Sequence, residues 1–400
     1  MTEYYPLIVN ENNVVGAIGS GGNATLISKI NGCEKHNYYL WVSQDYAIDV
    51  TMFMSKRRLR ILDVSLPLGS WLEGPPYVHA RTISSLEEYI ESIHKRLRSR
   101  LRGKIVLLGF SGGKDSTAAL IVLDKLQDYI DYKLKVVYVH IPYLEREENI
   151  DFVERVSSKL GVNIEVIEPP KRLVKSLLLW RGLPRRGDRW CTYLKVKPMR
   201  QIKKSSTKIL EVVADRAYEA PKRLRKMLQR AQEKELIVGR EFRPTFMLTL
   251  IDVVNIVKNA NLIHPHYLKG LPRVACDNCP FKALYEFKVV ELYENDIICR
   301  ALEKSWRKWY ADKGIPKDKF ILLGLWRYPA SIAKRLLDAI LLIKLDETVL
   351  KAKDVAAMYA RIWTTNIQAP LVKRWWELIE AAWSYYKRGR RFLSFTEQEG

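Results

Sequence analysis

The stretch at residues 111–116 combines the side chains that a phosphate-binding turn needs. Its members are Ser111, Gly112, Gly113, Lys114, Asp115 and Ser116. The two glycines let the backbone adopt positive φ and bring its N–H groups close to an anion. The lysine adds a positive charge and the serines add hydroxyl donors, whereas the aspartate is expected to act through a bound cation or by fixing the turn. A plain glycine turn is the alternative, but it accounts for only the two glycines.

The elements on either side place this turn where phosphate oxygens are commonly bound. An apolar strand is predicted over residues 104–110, and a helix rich in alanine and leucine is predicted from about Ser116 to Asp124. A strand, a glycine turn and a helix N-terminus together present backbone N–H groups to phosphate. The spacing is not that of a Walker A loop, in which four residues follow the first glycine before Gly-Lys-Ser/Thr.

Strands and helices alternate after this turn. The sequence predicts a strand over 134–140, a helix over 147–160 and further strands over 163–167 and 208–213. This alternation is typical of a doubly wound, mostly parallel α/β sheet, whose ligands lie at the carboxyl ends of its strands. The phosphate-binding turn is predicted to lie at such an end.

The rest of the chain differs in pattern from this α/β part. Short strand patterns separated by Asn, Gly and Asp come first, and helical patterns come last. We therefore expect three parts: a β-rich accessory domain at 1–80, a catalytic domain at 81–285 and a helical region at 286–400.

Residues 181–198 are rich in arginine, lysine and glycine and contain the triplet Trp190-Cys191-Thr192. The stretch is too irregular for a regular element, so we expect a mobile basic loop. Neighbouring Arg and Lys side chains would lower the pKa of the Cys191 thiol. The loop is therefore expected to contact phosphate and to hold a thiolate.

Cys276 and Cys279 form a Cys-x-x-Cys pair that can chelate a single metal centre from one turn. Cys191 is a third thiol on a distant stretch, and Cys299 offers a fourth. Such a set suits a tetrahedral Zn²⁺ or a [4Fe–4S] cluster, and spacing alone does not separate the two. If Cys299 lies in the core, the centre has three cysteine ligands and an open position. Four thiols with no metal between them are the alternative.

Four stretches, in this order along the chain, resemble the PP-loop adenine-nucleotide alpha hydrolases and, among them, the phosphoadenylylsulfate (PAPS) reductase family. Together they span about residues 104–285. They are the turn at 111–116, Arg189-Trp190-Cys191-Thr192 with Lys195 and Pro198, Asp215-Arg216 with Glu219 and Arg223, and Pro265-His266-Tyr267 with Gly270, Arg273 and Cys276-Asp277-Asn278-Cys279-Pro280. The third stretch departs from the family pattern, since Ala214 and Ala220 replace a glycine and a serine.

The resemblance implies a role for each of these residues. It implies that ATP or a related adenine nucleotide binds with Mg²⁺ at the turn, and that Arg189 and Lys195 approach it. It assigns catalytic roles to Lys114, Asp115, Arg216 and Arg223. It favours a [4Fe–4S] cluster over zinc, with ligands from Cys191, Cys276, Cys279 and, as an open question, Cys299.

The composition limits the partners. The net charge of +22 and the isoelectric point near 9.6 are typical of a polyanion binder, although a basic proteome or a nucleotide-only site would also explain them. No apolar run reaches the length of a membrane span, and the N-terminus lacks a secretory signal pattern. We therefore expect a cytoplasmic protein with no membrane partner and with thiols that stay reduced.

Three functions fit these observations. The first is an ATP-dependent enzyme that adenylates an oxygen of its substrate, releases pyrophosphate and replaces that oxygen with sulfur, on an acceptor such as tRNA and with a sulfur donor. The second is a sulfonucleotide reductase that makes sulfite with a thioredoxin-like reductant. That chemistry needs a cysteine near the C-terminus, and none follows Cys299. The third is a nucleotide- or RNA-binding module with a structural metal.

Overall fold

The computed structural model describes residues 5–9, 14–18, 24–29, 39–49, 54–55, 58–61, 64–67, 85–216, 236–246, 248, 250–290, 295–342 and 349–364. Its central feature is a six-stranded, mostly parallel sheet. In spatial order the strands are Ile164–Ile167, Lys133–Val139, Ile105–Phe110, Ile209–Val212, Glu241–Phe242 and Ile237–Val238. Only the last pair is antiparallel. The predicted fold class is confirmed.

The strand Ile105–Phe110 lies in the middle of this sheet because its side chains are apolar on both faces. Val106, Leu107 and Leu108 are fully buried, as expected for a parallel strand that is covered on both sides. The helix Lys114–Leu126 follows it and contributes an almost continuous row of buried apolar residues. Burial of this strand and helix fixes the turn between them.

The chain reverses its direction of travel across the sheet beside this central strand. From Ile105–Phe110 it crosses outward to Lys133–Val139 and Ile164–Ile167, and it then returns to place Ile209–Val212 on the other side. Ligands of open α/β sheets bind at such a reversal, outside the carboxyl ends of the strands. The residues after Phe110 and Val212 therefore lie at the expected binding edge.

Helices pack on both faces of the sheet and continue beyond it. Their bounds are Leu86–Leu101, Lys114–Leu126, Glu148–Leu160, Lys171–Arg181, Trp190–Lys204, Leu250–Asn259, Pro265–Leu268, Leu284–Val289, Asp296–Ser305, Lys317–Leu322, Ala330–Leu342 and Ala352–Thr364. A π-helical turn, Trp306–Tyr310, and short 3₁₀ turns at Ala311–Lys313 and Leu325–Arg327 join the later ones. None of the helices in the described ranges is long and apolar enough to cross a membrane.

Smaller antiparallel sheets form the β-rich N-terminal part. The strands are Tyr5–Val9, Val14–Ile18, Ala24–Lys29, Tyr39–Trp41, Tyr46–Asp49, Met54–Ser55, Arg58–Ile61 and Val64–Pro67. The strand Val349–Lys351 pairs with Tyr46–Asp49. The helical C-terminal part therefore completes a sheet that the N-terminal part begins.

The structure corrects one predicted element. Residues 190–204, which include the second half of the expected mobile loop, form a regular helix. The sequence prediction was wrong because Pro198 and the many cations obscured the helical periodicity of the apolar residues. Trp190 and Leu194, four residues apart, are both buried and show that periodicity. Proline in a helix interior leaves one backbone hydrogen bond unmade, but it does not end this helix.

Candidate nucleotide and cysteine site

The turn at residues 111–116 is shaped by one left-handed glycine. Gly112 has φ of 70°, and a side chain there would lie 3.5 Å from the Phe152 ring and 3.7 Å from the His264 ring. Gly113 is the N-cap, and the helix begins at Lys114, two residues earlier than the sequence predicts. The first turn of the helix, with its free N–H groups, therefore starts inside the motif.

The two serine hydroxyls of the motif hold the turn closed. The Ser116 hydroxyl donates to the Gly113 carbonyl oxygen at 2.9 Å and lies 2.9 Å from the Ser111 hydroxyl. The Ser111 backbone N–H donates to the Ser116 hydroxyl at 3.2 Å. The serines thus stabilise the backbone conformation that an anion would meet.

Asp115 lies between two cations. Its carboxylate is 3.2 Å from the Lys114 ammonium and accepts a hydrogen bond from the Arg216 guanidinium. Burial alone would raise the pKa of Asp115, but Lys114 and Arg216 outweigh it and lower the pKa to about 2. Asp115 also raises the pKa of Lys114 against the opposing effect of burial. The aspartate therefore fixes the turn and keeps both cations at its edge.

This ion pair also connects two strands of the sheet. Asp115 follows the strand Ile105–Phe110, and Arg216 follows Ile209–Val212 on the other side of the chain reversal. Arg216 is 5% exposed, so its position is determined by its surroundings. Arg223 and Glu219, which the sequence placed beside Arg216, lie outside the described residues.

The helix N-terminus has a further neighbour from a distant part of the chain. The Tyr267 hydroxyl accepts a hydrogen bond from the Lys114 backbone N–H at 2.7 Å. Tyr267 belongs to the short helix Pro265–Leu268 and is buried. The Tyr267 hydroxyl therefore already accepts one of the backbone N–H groups that the helix N-terminus presents.

The three cysteines of the resemblance lie in one electrostatic environment. Cys191 interacts with Cys279, and Cys276 interacts with both. Burial raises the pKa of Cys191, and the nearby Lys195 and Arg189 offset this only in part. The sequence prediction of a lowered pKa for this thiol is therefore wrong, because burial has the larger effect. Cys276 likewise has a raised pKa from burial, to which the nearby Glu145 adds.

Glu145 is the carboxylate at this cysteine site. Its side chain is buried, accepts a hydrogen bond from the Cys276 thiol at 3.1 Å and one from the Ile141 backbone N–H at 2.9 Å, and pairs with the Lys195 ammonium. Burial raises the pKa of Glu145, but Lys195 and the two hydrogen bonds bring it below its usual value. The structure therefore places Lys195 against Glu145 and the cysteines.

Lys282 is a second cation at the cysteines. It is fully buried, and among the described residues its ammonium has no hydrogen-bond partner. It interacts most strongly with the carboxylates of Glu286 and Asp277, and it also interacts with Cys279 and Cys276. Burial lowers its pKa. The fully buried Lys282 and the partly exposed Lys195 would both balance negative charge at these thiols.

Two further predicted site residues, Cys299 and Arg189, have surroundings that differ from those of the three cysteines. Cys299 is exposed on the helix Asp296–Ser305. Arg189 is the N-cap of its helix, and its guanidinium lies 4.8 Å from the centre of the Phe281 ring. Across the part of the chain that the structure describes, no group of three or more His, Cys, Asp or Glu side chains is arranged to hold a metal ion.

A chain of contacts joins the phosphate-binding turn to the cysteines. His264 lies against Gly112, and its Nε2 is 3.2 Å from the Asn149 side-chain oxygen. Asn149 hydrogen-bonds Tyr138, which interacts with Glu145 and Cys276. Packed side chains therefore connect the turn with the cysteines.

Sequence reasoning missed Glu145 and Lys282. The sequence gives a weak indication that Glu145 belongs to the site, because this residue follows the strand Lys133–Val139 at the carboxyl edge of the sheet, where ligands are expected. It gives no such indication for Lys282, because nothing in the local sequence distinguishes a buried lysine from an exposed one.

The geometry is that of a strand, a glycine turn and a helix N-terminus that can receive an anion, and a family comparison agrees with the motifs. Residues 105–282 match the family model described as phosphoadenosine phosphosulfate reductase domain. This chain therefore contains a domain of that family, and the resemblance drawn from its motifs is confirmed.

Curated relatives share a shorter stretch. The chain is 32% identical over 93 residues to a glutamine-hydrolyzing GMP synthase from Fusobacterium nucleatum and 31% identical over 94 residues to one from Lactococcus lactis subsp. lactis. These matches cover 23% and 24% of this chain. The chain spans about a fifth of the length of these relatives, 18% in each case.

Two solved structures are also similar. The U34-tRNA thiolase NcsA from Methanococcus maripaludis, with its [4Fe–4S] cluster, is 13% identical, with a TM-score of 0.36 over 65% of this chain and 80% of that one. The NH₃-dependent NAD synthetase from Campylobacter jejuni is 12% identical, with a TM-score of 0.30 over 56% of this chain and 92% of that one.

Proposed function

We propose that this chain is an ATP-dependent enzyme that adenylates an oxygen of its substrate and then exchanges that oxygen for sulfur, with RNA as the acceptor. One observation carries the proposal. Contacts of His264, Asn149 and Tyr138 connect the phosphate-binding turn at residues 111–116 with Cys276, which interacts with Cys191 and Cys279. Activation by a nucleotide and chemistry at a sulfur-liganded centre would thus occur side by side.

The first step is transfer of the adenylyl group. The acceptor oxygen attacks the α-phosphorus of ATP, the bond from that phosphorus to the bridging oxygen breaks, and pyrophosphate leaves with Mg²⁺. Lys114 and Arg216 would stabilise the negative charge that builds up on the phosphoryl oxygens. Both cations are already oriented by Asp115, so little reorganisation is needed when the nucleotide binds.

The second step forms the carbon–sulfur bond. A sulfide nucleophile from a sulfur donor attacks the activated carbon, the carbon–oxygen bond breaks, and AMP leaves with the oxygen. Cys191, Cys276 and Cys279 would hold a [4Fe–4S] cluster, with Zn²⁺ as the alternative. When bound there, a cluster with three cysteine ligands supplies an open iron that binds sulfide. Lys195 and Lys282 would balance the negative charge of that centre.

An RNA acceptor is supported by the charge of the chain. A net charge of +22 exceeds what a nucleotide alone requires and favours a polyanionic substrate. We place the reaction in the cytoplasm, where thiols stay reduced.

The test is an assay of both products. Protein purified without oxygen is incubated with ATP, Mg²⁺, sulfide and bulk tRNA, and pyrophosphate and thiolated nucleosides are measured. We expect both products, and we expect both to disappear when ATP is omitted. If neither pyrophosphate nor thiolated nucleosides form, the proposed reaction is contradicted and the chain is a nucleotide- or RNA-binding module.

A sulfonucleotide reductase is the second candidate, favoured by the family match and by one thiol. Cys299 is exposed, as a nucleophilic cysteine that reacts with an external reductant must be. Incubation with phosphoadenylylsulfate or adenylylsulfate and thioredoxin distinguishes the two candidates. Sulfite release that is lost in Cys299→Ser would favour the reductase over sulfur transfer to RNA.

A further inference from the structure

We infer that one face of the helix Trp190–Lys204, here called the basic stripe and consisting of Tyr193, Lys197, Arg200 and Lys204, is the surface that binds unpaired RNA next to the cysteines. The inference rests on the proposed RNA acceptor and adds to it the place where that acceptor binds.

The basic stripe lies on the solvent side of its helix. Its members are exposed, whereas Trp190 and Leu194 in the same helix are buried. The spacing from Tyr193 to Lys204 is four, three and four residues, which keeps the side chains on one helical face. With 1.5 Å of rise per residue, the stripe is roughly 16 Å long.

The stretch of chain that contains the stripe is strongly basic. Residues 171–204 contain twelve Lys and Arg residues and one acidic residue, Asp188. Asp188 is already paired with Arg181. Within the described ranges no carboxylate forms an ion pair with the three cations of the stripe. A row of uncompensated cations is what a phosphate backbone neutralises.

The aromatic residue of the stripe, Tyr193, favours RNA over other polyanions as the partner. The Tyr193 side chain is 59% exposed, and the Lys197 ammonium lies 6.0 Å from the centre of its ring. An exposed ring beside a cation can stack on an unpaired base while the cation contacts the neighbouring phosphate. An acidic protein segment would use the cations and leave the ring unused.

The stripe begins near the cysteine site. Cys191 and Lys195 are each two residues from Tyr193, on the other face of the same helix, and Lys195 pairs with Glu145 beside Cys276. An RNA strand with a base stacked on Tyr193 would reach the cysteines by passing around the start of this helix.

Binding measured without ATP tests the stripe apart from the proposed reaction. Fluorescence anisotropy is recorded with a labelled oligouridine and with unmodified tRNA over a series of salt concentrations. The test variant is the triple substitution Lys197→Ala, Arg200→Ala and Lys204→Ala. The matched control removes the same number of charges outside this helix with Arg102→Ala, Lys133→Ala and Lys159→Ala, all exposed positions.

We expect the test variant to lower the slope of log affinity against log salt by about 2, since each phosphate contact on a single strand contributes about 0.7. At 0.1 M salt this corresponds to roughly 100-fold weaker binding. We expect Tyr193→Ala to weaken oligouridine binding about 5- to 150-fold and Tyr193→Phe to bind as the unchanged protein does, because the ring is what stacks.

Three outcomes overturn the inference: unchanged RNA binding in the test variant, an equal loss in the control, or polyglutamate competing as well as oligouridine. Pyrophosphate formation without RNA-dependent thiolation in the unchanged protein would count against the proposed function alone. Normal RNA binding with defective thiolation in the test variant would count against the stripe alone.

Discussion

The Trp363 ring stacks on the Tyr267 ring, with centroids 4.4 Å apart and planes 24° from parallel. Because the Tyr267 hydroxyl also accepts the Lys114 backbone N–H, the helix Ala352–Thr364 supports the phosphate-binding turn through a single side chain. The approach is close: a side chain at Gly270 would lie 2.1 Å from the Ala356 carbonyl oxygen. A part of the chain outside the family domain thus stabilises the nucleotide end of the site.

Trp363→Ala is expected to lower the free energy of unfolding by about 3–5 kcal/mol, the usual cost of removing a buried aromatic side chain. Trp363 is 4% exposed. Trp180→Ala is the matched control, since Trp180 is 68% exposed and its loss should change stability by about 0.5 kcal/mol or less. Urea denaturation measures both, and equal effects would show that Trp363 does not support the core.

Tyr267→Phe keeps the stack on Trp363 and removes only the hydroxyl. The Lys114 backbone N–H then loses its partner, which costs about 1–3 kcal/mol when the group stays dry. We expect a lower unfolding midpoint in urea that nucleotide partly restores, because a phosphate oxygen can accept the same N–H. A midpoint equal to that of the unchanged protein would contradict this role.

Lys114→Ala is expected to abolish ATP-dependent pyrophosphate release and leave the fold intact. The fold survives because Asp115 still has Arg216 as a partner, so no buried charge is left alone. Rates should fall at least about 100-fold, as for loss of a group that stabilises transition-state charge. Circular dichroism verifies the fold, and full activity in this variant would remove the turn from the mechanism.

Much of the fold follows from sequence period alone. The predicted strand at 104–110 is observed at Ile105–Phe110 and the predicted helix at 147–160 is observed at Glu148–Leu160. Both segments have regular patterns of apolar residues that fit few other secondary structures. The turn at 111–116 could also be predicted, because glycine, lysine and serine at that spacing are the residue types that a phosphate-binding turn needs.

The contacts that assemble the site were beyond sequence reasoning. Tyr267 reaches Lys114 across 153 residues, and Cys276 reaches Glu145 across 131. No local pattern encodes a pairing at such separations, since it depends on how distant elements pack. The helix Trp190–Lys204 shows the converse, because Pro198 and a high cation content hid a helix that tertiary packing stabilises.

Acid should destabilise this protein through two buried histidines. Burial and nearby cations lower the pKa of His264 and His266 from 6.5 to about 3. Between these values the unfolded chain binds a proton that the folded chain excludes, so the free energy of unfolding falls as pH falls from 6.5 towards 3. The slope is at most about 1.4 kcal/mol per pH unit for each histidine. Urea titrations at several pH values should give a shallower dependence for His266→Gln, and an unchanged slope would contradict the shift.

Cysteine substitution should separate the ligands of the proposed metal centre. Protein prepared without oxygen is expected to be brown and to contain iron and acid-labile sulfide. Cys276→Ser should lose both, because Cys276 is partly buried and interacts with Cys191, Cys279 and Lys195. Cys299→Ser should keep both, because Cys299 is exposed on the helix Asp296–Ser305. Metal analysis and visible absorbance check these outcomes. Colourless protein with stoichiometric zinc would overturn the cluster, and iron lost in Cys299→Ser would make that cysteine the fourth ligand.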